Sequence, residues 1–402
     1  MTTLTDEITT QVPAIVNAQE AITAASTLAA ELRQGAVARD AEREVPVDVL
    51  QALSGSGLLG ITVPAEHGGA DVDRRTVTEV FRLLASADPA IAQIPQAHFG
   101  LIEALRLSGN AEQKRRFFGA ALHGARFANA VAERGTARAD IRHTRLVCQA
   151  DGAQVLRGTK YYSTGALTAD WIGVQALDES DQLTWVFVPS DATGLRRVDD
   201  WRGFGQRSTQ SGTTVLKDVP VSPDQVLHPP GDDVANTIVP ATQLVHAAID
   251  VGIARGALDD GVAFIRERSR PWHEAKVERV ADEPHVILQV GRLATRLTAA
   301  EALLQWAAAT LDEVRGASLT AASVGRATLA VDQAKAFAAE ISLQISTEIL
   351  EVAGASATDE RHGLDRHWRN ARTHTLHDPA RWKLHHVGAF ILSGELPPKR
   401  FA

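Results

Sequence analysis

A mainly α-helical protein with a β domain in mid-chain is the fold class that the sequence predicts, and three observations predict it. Apolar residues recur at helical spacing from the start to about residue 125. From about 126 to 235 the texture changes to short β-prone runs broken by turn signals. After about 236 helical periodicity returns in long stretches with few breakers. With 402 residues the chain exceeds what one hydrophobic core ordinarily supports. The expected domains are therefore 1–125, 126–235 and 236–402.

In the first domain, Ala and Leu keep one face over residues 21–32, and Pro46 opens a helix over 47–53. Further helices are expected at 77–85 and 101–107. Gly55-Ser56-Gly57-Leu58-Leu59-Gly60 spells the dinucleotide-binding fingerprint, but a helix precedes it, and Ile61-Thr62-Val63-Pro64 follows where a helix should open. It reads as a helix C-cap turn. Strands are expected at 145–148, 155–156, 171–174, 183–188 and 213–219, with turns at Asp151-Gly152 and Ala192-Thr193-Gly194. That spacing suits a small antiparallel barrel or sandwich better than a parallel βαβ sheet. In the third domain Leu293, Leu297, Leu304 and Leu311 share a face and 327–352 runs almost unbroken, which implies a bundle.

Composition narrows the function classes. A formal charge of -8 and a pI near 6.0 argue against nucleic acid or an anionic membrane as partner. No apolar run approaches a membrane span. Met1-Thr2-Thr3-Leu4-Thr5-Asp6-Glu7 lacks the basic and apolar regions of a signal peptide. The single cysteine, Cys148, cannot form an internal disulfide, which fits a reducing compartment. A cytoplasmic location is expected. The single methionine is Met1. Cores accept Leu for Met at little cost, so folding does not demand this depletion. Economy under sulfur scarcity and drift in an Ala- and Arg-rich chain both account for it.

Chemistry concentrates near the end, in Leu364-Asp365-Arg366-His367-Trp368-Arg369-Asn370-Ala371-Arg372-Thr373-His374-Thr375-Leu376-His377-Asp378-Pro379. Such a density of guanidinium donors and imidazoles suits an anionic cofactor and proton chemistry. Asp378-Pro379 reads as a helix start, with Asp378 as N-cap and Pro379 at the first helical position. His374 and His377 could chelate a metal from one helix face, but no nearby Glu or Cys completes a set and the arginines repel a cation. For either residue, a buried structural role stands beside a catalytic or cofactor-contacting one. Lys160-Tyr161-Tyr162-Ser163-Thr164-Gly165 places two hydroxyls before a glycine, either to meet a planar ligand or as an ordinary strand-to-turn cap. Asn129, inside an apolar run, is a ligand donor or a satisfied turn residue. Arg266, Arg268 and Arg270 could grip a phosphate or face solvent. Trp201-Arg202-Gly203-Phe204-Gly205-Gln206-Arg207 could wall a flat pocket or pack beneath the barrel. No Walker loop, HExxH or GxSxG occurs.

Together these segments resemble the acyl-CoA dehydrogenase superfamily over nearly the whole chain. Val63-Pro64-Ala65-Glu66-His67-Gly68-Gly69 is similar to its N-terminal VPxxxGG signature. Phe204-Gly205-Gln206-Arg207 and Leu216-Lys217-Asp218-Val219-Pro220-Val221 are similar to its GxR and DVxVP elements. Residues 158–167, Asp199-Asp200-Trp201, Arg270-Pro271-Trp272 and 368–382 narrow the resemblance to the flavin-dependent monooxygenase branch, with SfnB-type sulfur-acquisition oxidoreductases and dibenzothiophene monooxygenases.

The resemblance implies an N-terminal helical domain, a middle β-barrel and a C-terminal four-helix bundle, assembled as a homotetramer with flavin bound partly across a subunit interface. It implies a two-component monooxygenase. A separate NAD(P)H:flavin reductase supplies FMNH2, which reacts with O2 to a C4a-hydroperoxide that oxygenates a small organosulfur compound. Asn129, Ser163 and Thr164 would line the isoalloxazine, with Trp201 and His374 as further cofactor contacts. His377 and Ser163 would face the reactive C4a edge, and His98 would tune polarity or relay protons nearby. Arg268 and Arg270 would hold the phosphate, from the same or a neighbouring subunit. Dehydrogenases of this superfamily abstract an acyl α-proton with a Glu. Aligned through Arg369-Asn370-Ala371-Arg372, this chain has His377-Asp378-Pro379 there. The alternatives are an FAD-dependent acyl-CoA dehydrogenase with Asp378 as base, and a non-catalytic flavin-binding scaffold.

Overall fold

The computed structural model describes residues 12–138, 140–230, 234–315 and 319–398. Residues 1–11 of the expected helical domain and 399–402 of the third lie outside the described residues. Seven helices come first: α1 (Ala18–Arg33), α2 (Ala36–Glu42), α3 (Val47–Gly55), α4 (Arg74–Ala87), α5 (Pro89–Gln93), α6 (Gln96–Ser108) and α7 (Ala111–Leu122). Their starts are encoded by side-chain acceptors for otherwise unpaired N–H groups. Asn17 accepts from Glu20 N–H, Asp73 from Thr76 N–H, and Asn110 forms a capping box with Gln113. The 55–60 segment is the expected cap turn: α3 ends at Gly55 and Gly57 sits at φ 78°. A Cβ on Gly57 would come within 2.5 Å of the Pro13 carbonyl oxygen, so the tight turn needs glycine.

The middle of the chain forms one sheet from β1 (Phe127–Ala130), β2 (Arg145–Cys148), β3 (Gln154–Ser163), β4 (Trp171–Leu177), β5 (Leu183–Pro189), β6 (Leu195–Val198), β7 (Gly212–Val221) and β8 (Val226–Leu227). The order is β6-β7-β3-β2-β4-β5-β8, with β1 joined to β4. Pairing is antiparallel except for β1 with β4 and one β2–β4 pair. Strands β1, β6 and β8 add to those expected. Leu156, Ile172, Val174, Val186, Val188 and Val219 fill the sheet core. β1 ties the sheet to the helices: Phe127 packs against Phe117 and Phe187, and the Phe117 and Phe187 rings stack at 4.5 Å.

The remaining helices are α8 (Ile238–Arg268), α9 (Pro284–Glu313), α10 (Ala321–Ala353), α11 (Asp365–His374) and α12 (Ala380–Ser393). Leu293, Leu297, Leu304 and Leu311 of α9 all lie buried, as their spacing predicts. The N-terminal helices and the bundle share one continuous core, in which α1, α4 and α8 to α10 pack together. A Cβ on Gly252 of α8 would lie 2.6 Å from Ala85 Cβ of α4, which shows how closely the two helices approach. No described helix is long and apolar enough to cross a membrane.

One local expectation is corrected. Asp378 does not cap α12: Pro379 occupies the N-cap position, no side chain caps that end, and Asp378 Oδ2 is buried without a hydrogen-bond partner. A proline at the N-cap moves the helix start one residue along, so the Asp378 carboxylate turns elsewhere.

Candidate active site

The site lies on the seam between the sheet and α11. Strand β3 ends in a bulge between Lys160 and Ser163, where Tyr162 takes φ 57°. Across the seam, Gln206 and Gln210 take φ 49° and 52°. Left-handed backbone at a non-glycine residue costs of order 1 kcal/mol or more and persists only where the surroundings impose it. Here they do: Gln206 N–H donates to Asn370 Oδ1 of α11 at 2.6 Å, and Gly165 N–H donates to the Thr209 carbonyl at 3.1 Å. Gly205 packs directly on the Arg369 carbonyl of α11, where no side chain would fit. Trp201 folds over this loop, its Nε1–H donating to the Gln206 carbonyl at 2.8 Å and its ring meeting Tyr162 edge-on at 6.1 Å.

Hydrogen-bond accounting separates the occupied polar groups from the waiting ones. Thr209 Oγ1–H donates to the Gln206 carbonyl at 2.9 Å, so Thr209 Oγ1 can only accept from Ser211 Oγ, 2.8 Å away. Ser211 must then accept from Thr164 Oγ1 at 2.7 Å. This chain leaves Thr164 Oγ1 only acceptor capacity towards anything further. By contrast, Ser163 Oγ, both polar atoms of the Gln206 amide, Gln210 Oε1, Thr373 Oγ1 and Arg372 Nε are buried without hydrogen-bond partners. A buried polar group left unpaired costs about 1–3 kcal/mol. These groups sit on the end of β3, on the 206–210 loop and on α11, and are the candidates in this region to pair with a polar ligand. Asn129 on β1 is half-buried and its side chain has no protein hydrogen bond among the described residues.

Behind this seam the bundle carries a buried ionic chain. Lys335 Nζ lies 2.7 Å from Asp250 Oδ2, and Asp250 Oδ1 lies 2.6 Å from His374 Nδ1. His374 Nε2 lies 3.1 Å from His246 Nδ1, and the His246 ring lies against His377 as a tilted pair, centroids 4.0 Å apart and planes inclined by 32°. Burial opposes the Asp250 charge, but Lys335 and His374 outweigh it and hold the carboxyl below its usual range. Burial pushes the His246 imidazole well down, assisted by His377 and His374, and it pushes His374 down against the pull of Asp250. His377 is half-exposed, and its Nδ1 lies 3.9 Å from Asp378 Oδ2, too far for a hydrogen bond. Lys383 Nζ lies 3.9 Å from the same oxygen. Burial favours protonated Asp378, yet His377 and Lys383 outweigh it and hold the group far below the carboxylate range.

The structure thus gathers Ser163, Thr164 and Trp201 on the seam and places His377 in the turn after α11. Two other expectations give way. His374 is fully buried with both ring nitrogens engaged by Asp250 and His246, so it offers none to a cofactor. His98 is fully buried, its Nε2 2.8 Å from the Leu59 carbonyl and its Nδ1 3.4 Å from Phe127 N–H. Burial lowers its pKa to about 4. It braces α6 against β1 and has no nitrogen left for a proton relay. Arg268 and Arg270 are exposed at and just beyond the C-terminal end of α8, past Asp260, which bonds Arg366 and His367 of α11.

Sequence reasoning missed His246, Asp250 and Lys335, and named Gln206 only as part of the segment 201–207. His246 and Asp250 stand four apart in the otherwise apolar run 244–254 of α8, and that spacing of two polar groups on one buried face is the available signal. A groove beside His377's turn completes the surroundings. It is lined by Val239, Gln243, Val324, Asp332, Lys383 and His386 among others, and holds about 720 Å³ of empty space, part of it open to solvent.

Comparison with known proteins identifies the family of the chain. The acyl-CoA dehydrogenase family profiles match in order: the N-terminal domain over residues 19–125, the middle domain over 128–219 and the C-terminal domain over 244–382. The chain is 34% identical to a dibenzothiophene monooxygenase of Rhodococcus erythropolis over 94% of each chain. It is 31% identical to the probable FMNH2-dependent monooxygenase SfnC of Pseudomonas putida, over 95% of this chain and 97% of that one. The crystal structure of FMN-bound TdsC from Paenibacillus sp. A11-2 superposes with a TM-score of 0.90 at 31% identity, covering 95% of this chain and 99% of that one. The chain belongs to the acyl-CoA dehydrogenase superfamily, in its flavin-dependent monooxygenase branch.

Proposed function

We propose that this protein is the oxygenase of a two-component system, using FMNH2 and O2 to oxygenate a small organosulfur compound. The observation that carries this reading is the row of buried, unpartnered polar atoms at Ser163, Gln206 and Thr373, a surface that a flat heteroatom-rich ring would satisfy. Ser163 can donate there and Thr164 can only accept, a polarity suited to the mixed donors and acceptors along a flavin edge. Asn129 and Trp201 would orient the ring, and His377 would hold a proton at its reactive side. When bound, reduced FMN supplies the activation of oxygen; the protein's share is position and exclusion of water. The names of the relatives, dibenzothiophene and FMNH2-dependent monooxygenases, support both the cofactor and the organosulfur class. The groove beside His377, apolar with a charged floor, suits a compact substrate with one polar sulfur group.

The glycine turn at 55–60 is closed as a helix cap, which supports a separate NAD(P)H-dependent reductase as source of FMNH2. Assembly into a tetramer is part of the reading. Leu384, Ile391 and Leu392 of α12 and Ile287 and Leu288 of α9 leave apolar side chains uncovered in one chain. Arg268 and Arg270 would hold the flavin phosphate, from the same or a neighbouring subunit. A single Met and a single Cys in 402 residues suit a cytoplasmic enzyme of sulfur acquisition.

The dehydrogenase alternative gains one observation, since Asp378 Oδ2 is unpartnered. A carboxylate held so far below its usual range is a weak base, however, and α-proton abstraction needs a stronger one. The test is stopped-flow absorbance of protein loaded anaerobically with FMNH2 and mixed with oxygen. A long-lived transient, distinct from reduced and oxidised FMN and consumed faster with a sulfide or sulfinate, is expected. Oxidation at the rate of free FMNH2, with bleaching of bound FAD by an acyl-CoA, would favour the dehydrogenase.

A further inference from the structure

The geometry points to His246 as a positioning residue: its ring is a fixed platform for His377, locked in place by Asp250 through His374. The inference rests on the reading that His377 faces the flavin, and it assigns work to three buried residues behind it.

The lock follows from counting protons. Asp250 is an acceptor on both oxygens, one facing Lys335 Nζ at 2.7 Å and the other facing His374 Nδ1 at 2.6 Å. His374 must therefore carry its proton on Nδ1, which leaves Nε2 of the neutral ring as a lone pair. The 3.1 Å contact then requires His246 to donate from Nδ1. One carboxylate thus sets the tautomer of two imidazoles and fixes the plane of the second. All three groups are fully or almost fully buried on α8 and α11, where water cannot compete for these bonds.

The hydrogen-bond chain ends at His246. His377 lies against it as a tilted ring pair, with centroids 4.0 Å apart and planes inclined by 32°, and no hydrogen bond joins the two rings among the described residues. A ring-on-ring contact without a hydrogen bond carries no proton, so the chain is not a conduit into the site. It acts by holding the ring of His377. That ring needs holding, because His377 lies in the turn between α11 and α12, is half-exposed, and has no side-chain hydrogen bond among the described residues. A misplacement of about 1 Å at a catalytic group can cost on the order of a hundredfold in rate.

Two readouts on the full-length protein test this, one independent of flavin. Diethyl pyrocarbonate, with mass-spectrometric mapping, reports how freely the His377 ring reacts. Oxygenated product per FMNH2 consumed reports how well it is placed. His246→Leu fills the volume without a ring face, and should raise carbethoxylation of His377 severalfold and cut coupling about tenfold, with KM for the sulfur substrate and Kd for FMN within about twofold. His246→Phe restores a ring face, and should return both readouts most of the way. Unchanged carbethoxylation in His246→Leu, or a His246→Phe variant no better than leucine, overturns the platform. If the wild-type protein makes no oxygenated product, carbethoxylation still decides: a rise in the leucine variant that phenylalanine reverses supports the platform while the oxygenase reading falls.

Discussion

Two polar regions face each other across α11, and they are built on opposite rules. On the bundle side, Lys335, Asp250, His374 and His246 are buried with their contacts made inside the protein. On the sheet side and the facing turn of α11, Ser163 Oγ, the Gln206 amide, Gln210 Oε1 and Thr373 Oγ1 are buried but unpaired, and the backbone at Tyr162, Gln206 and Gln210 is held left-handed. The first arrangement stabilises a position. The second leaves unsatisfied groups and left-handed backbone, which the proposed flavin would engage. A buried histidine therefore says little about chemistry until its nitrogens are accounted for: His98 and His374 have both ring nitrogens engaged within the protein, and His377 does not.

The contrast can be broken most severely at Asp250. Asp250→Ala would strand the Lys335 ammonium in the bundle, and denaturant unfolding should show a loss of about 3–5 kcal/mol. Asp250→Ala combined with Lys335→Met should recover much of it. Acid comes next. His98 and His367 each remain neutral in the fold down to about 4 because burial excludes the charge, whereas the unfolded imidazole protonates near its ordinary 6.5. The unfolded state therefore binds more protons between those values. Stability from these two groups is complete above about pH 6.5 and declines as pH falls to about 4, by on the order of 3 kcal/mol for each. His98→Gln should flatten that decline in melts recorded across the range. On the sheet side, Ser163→Ala should leave the flavin-free protein as stable as before, or more so, since it deletes an unpaired hydroxyl. It should weaken FMN binding about tenfold by fluorescence titration. A marked loss of stability without flavin would erase the distinction between the regions. Thr164→Val should cost less, about threefold in FMN affinity, since its hydroxyl is already partnered by Ser211.

How much was legible in the sequence follows the same division. Long periodic helices and the chain-wide signatures gave the fold, because burial of one face imposes a period that composition cannot hide. Strands β1, β6 and β8 escaped, being two to four residues long and defined by pairing partners instead of by their own pattern. Ser163 and Thr164 stood out because hydroxyls before a glycine at a strand end are a local signal. Asp378 was misread as a cap because Asp-Pro is a strong local motif, and only the tertiary pull of Lys383 and His377 shows its actual setting. Asp250 and Lys335 are 85 residues apart, and no local pattern announces such a pair.

The central claim, that this chain oxygenates sulfur with reduced FMN, is tested most directly by product analysis under isotopically labelled dioxygen. The purified protein, FMN and a flavin reductase would be supplied with NADH and candidate sulfides, sulfinates or dibenzothiophene. The account predicts labelled oxygen in a sulfur-oxygenated product, formed in proportion to the FMNH2 consumed and lost in His377→Ala while FMN still binds. Hydrogen peroxide and oxidised FMN as the sole products with every sulfur compound, or full product yield from His377→Ala, would contradict it.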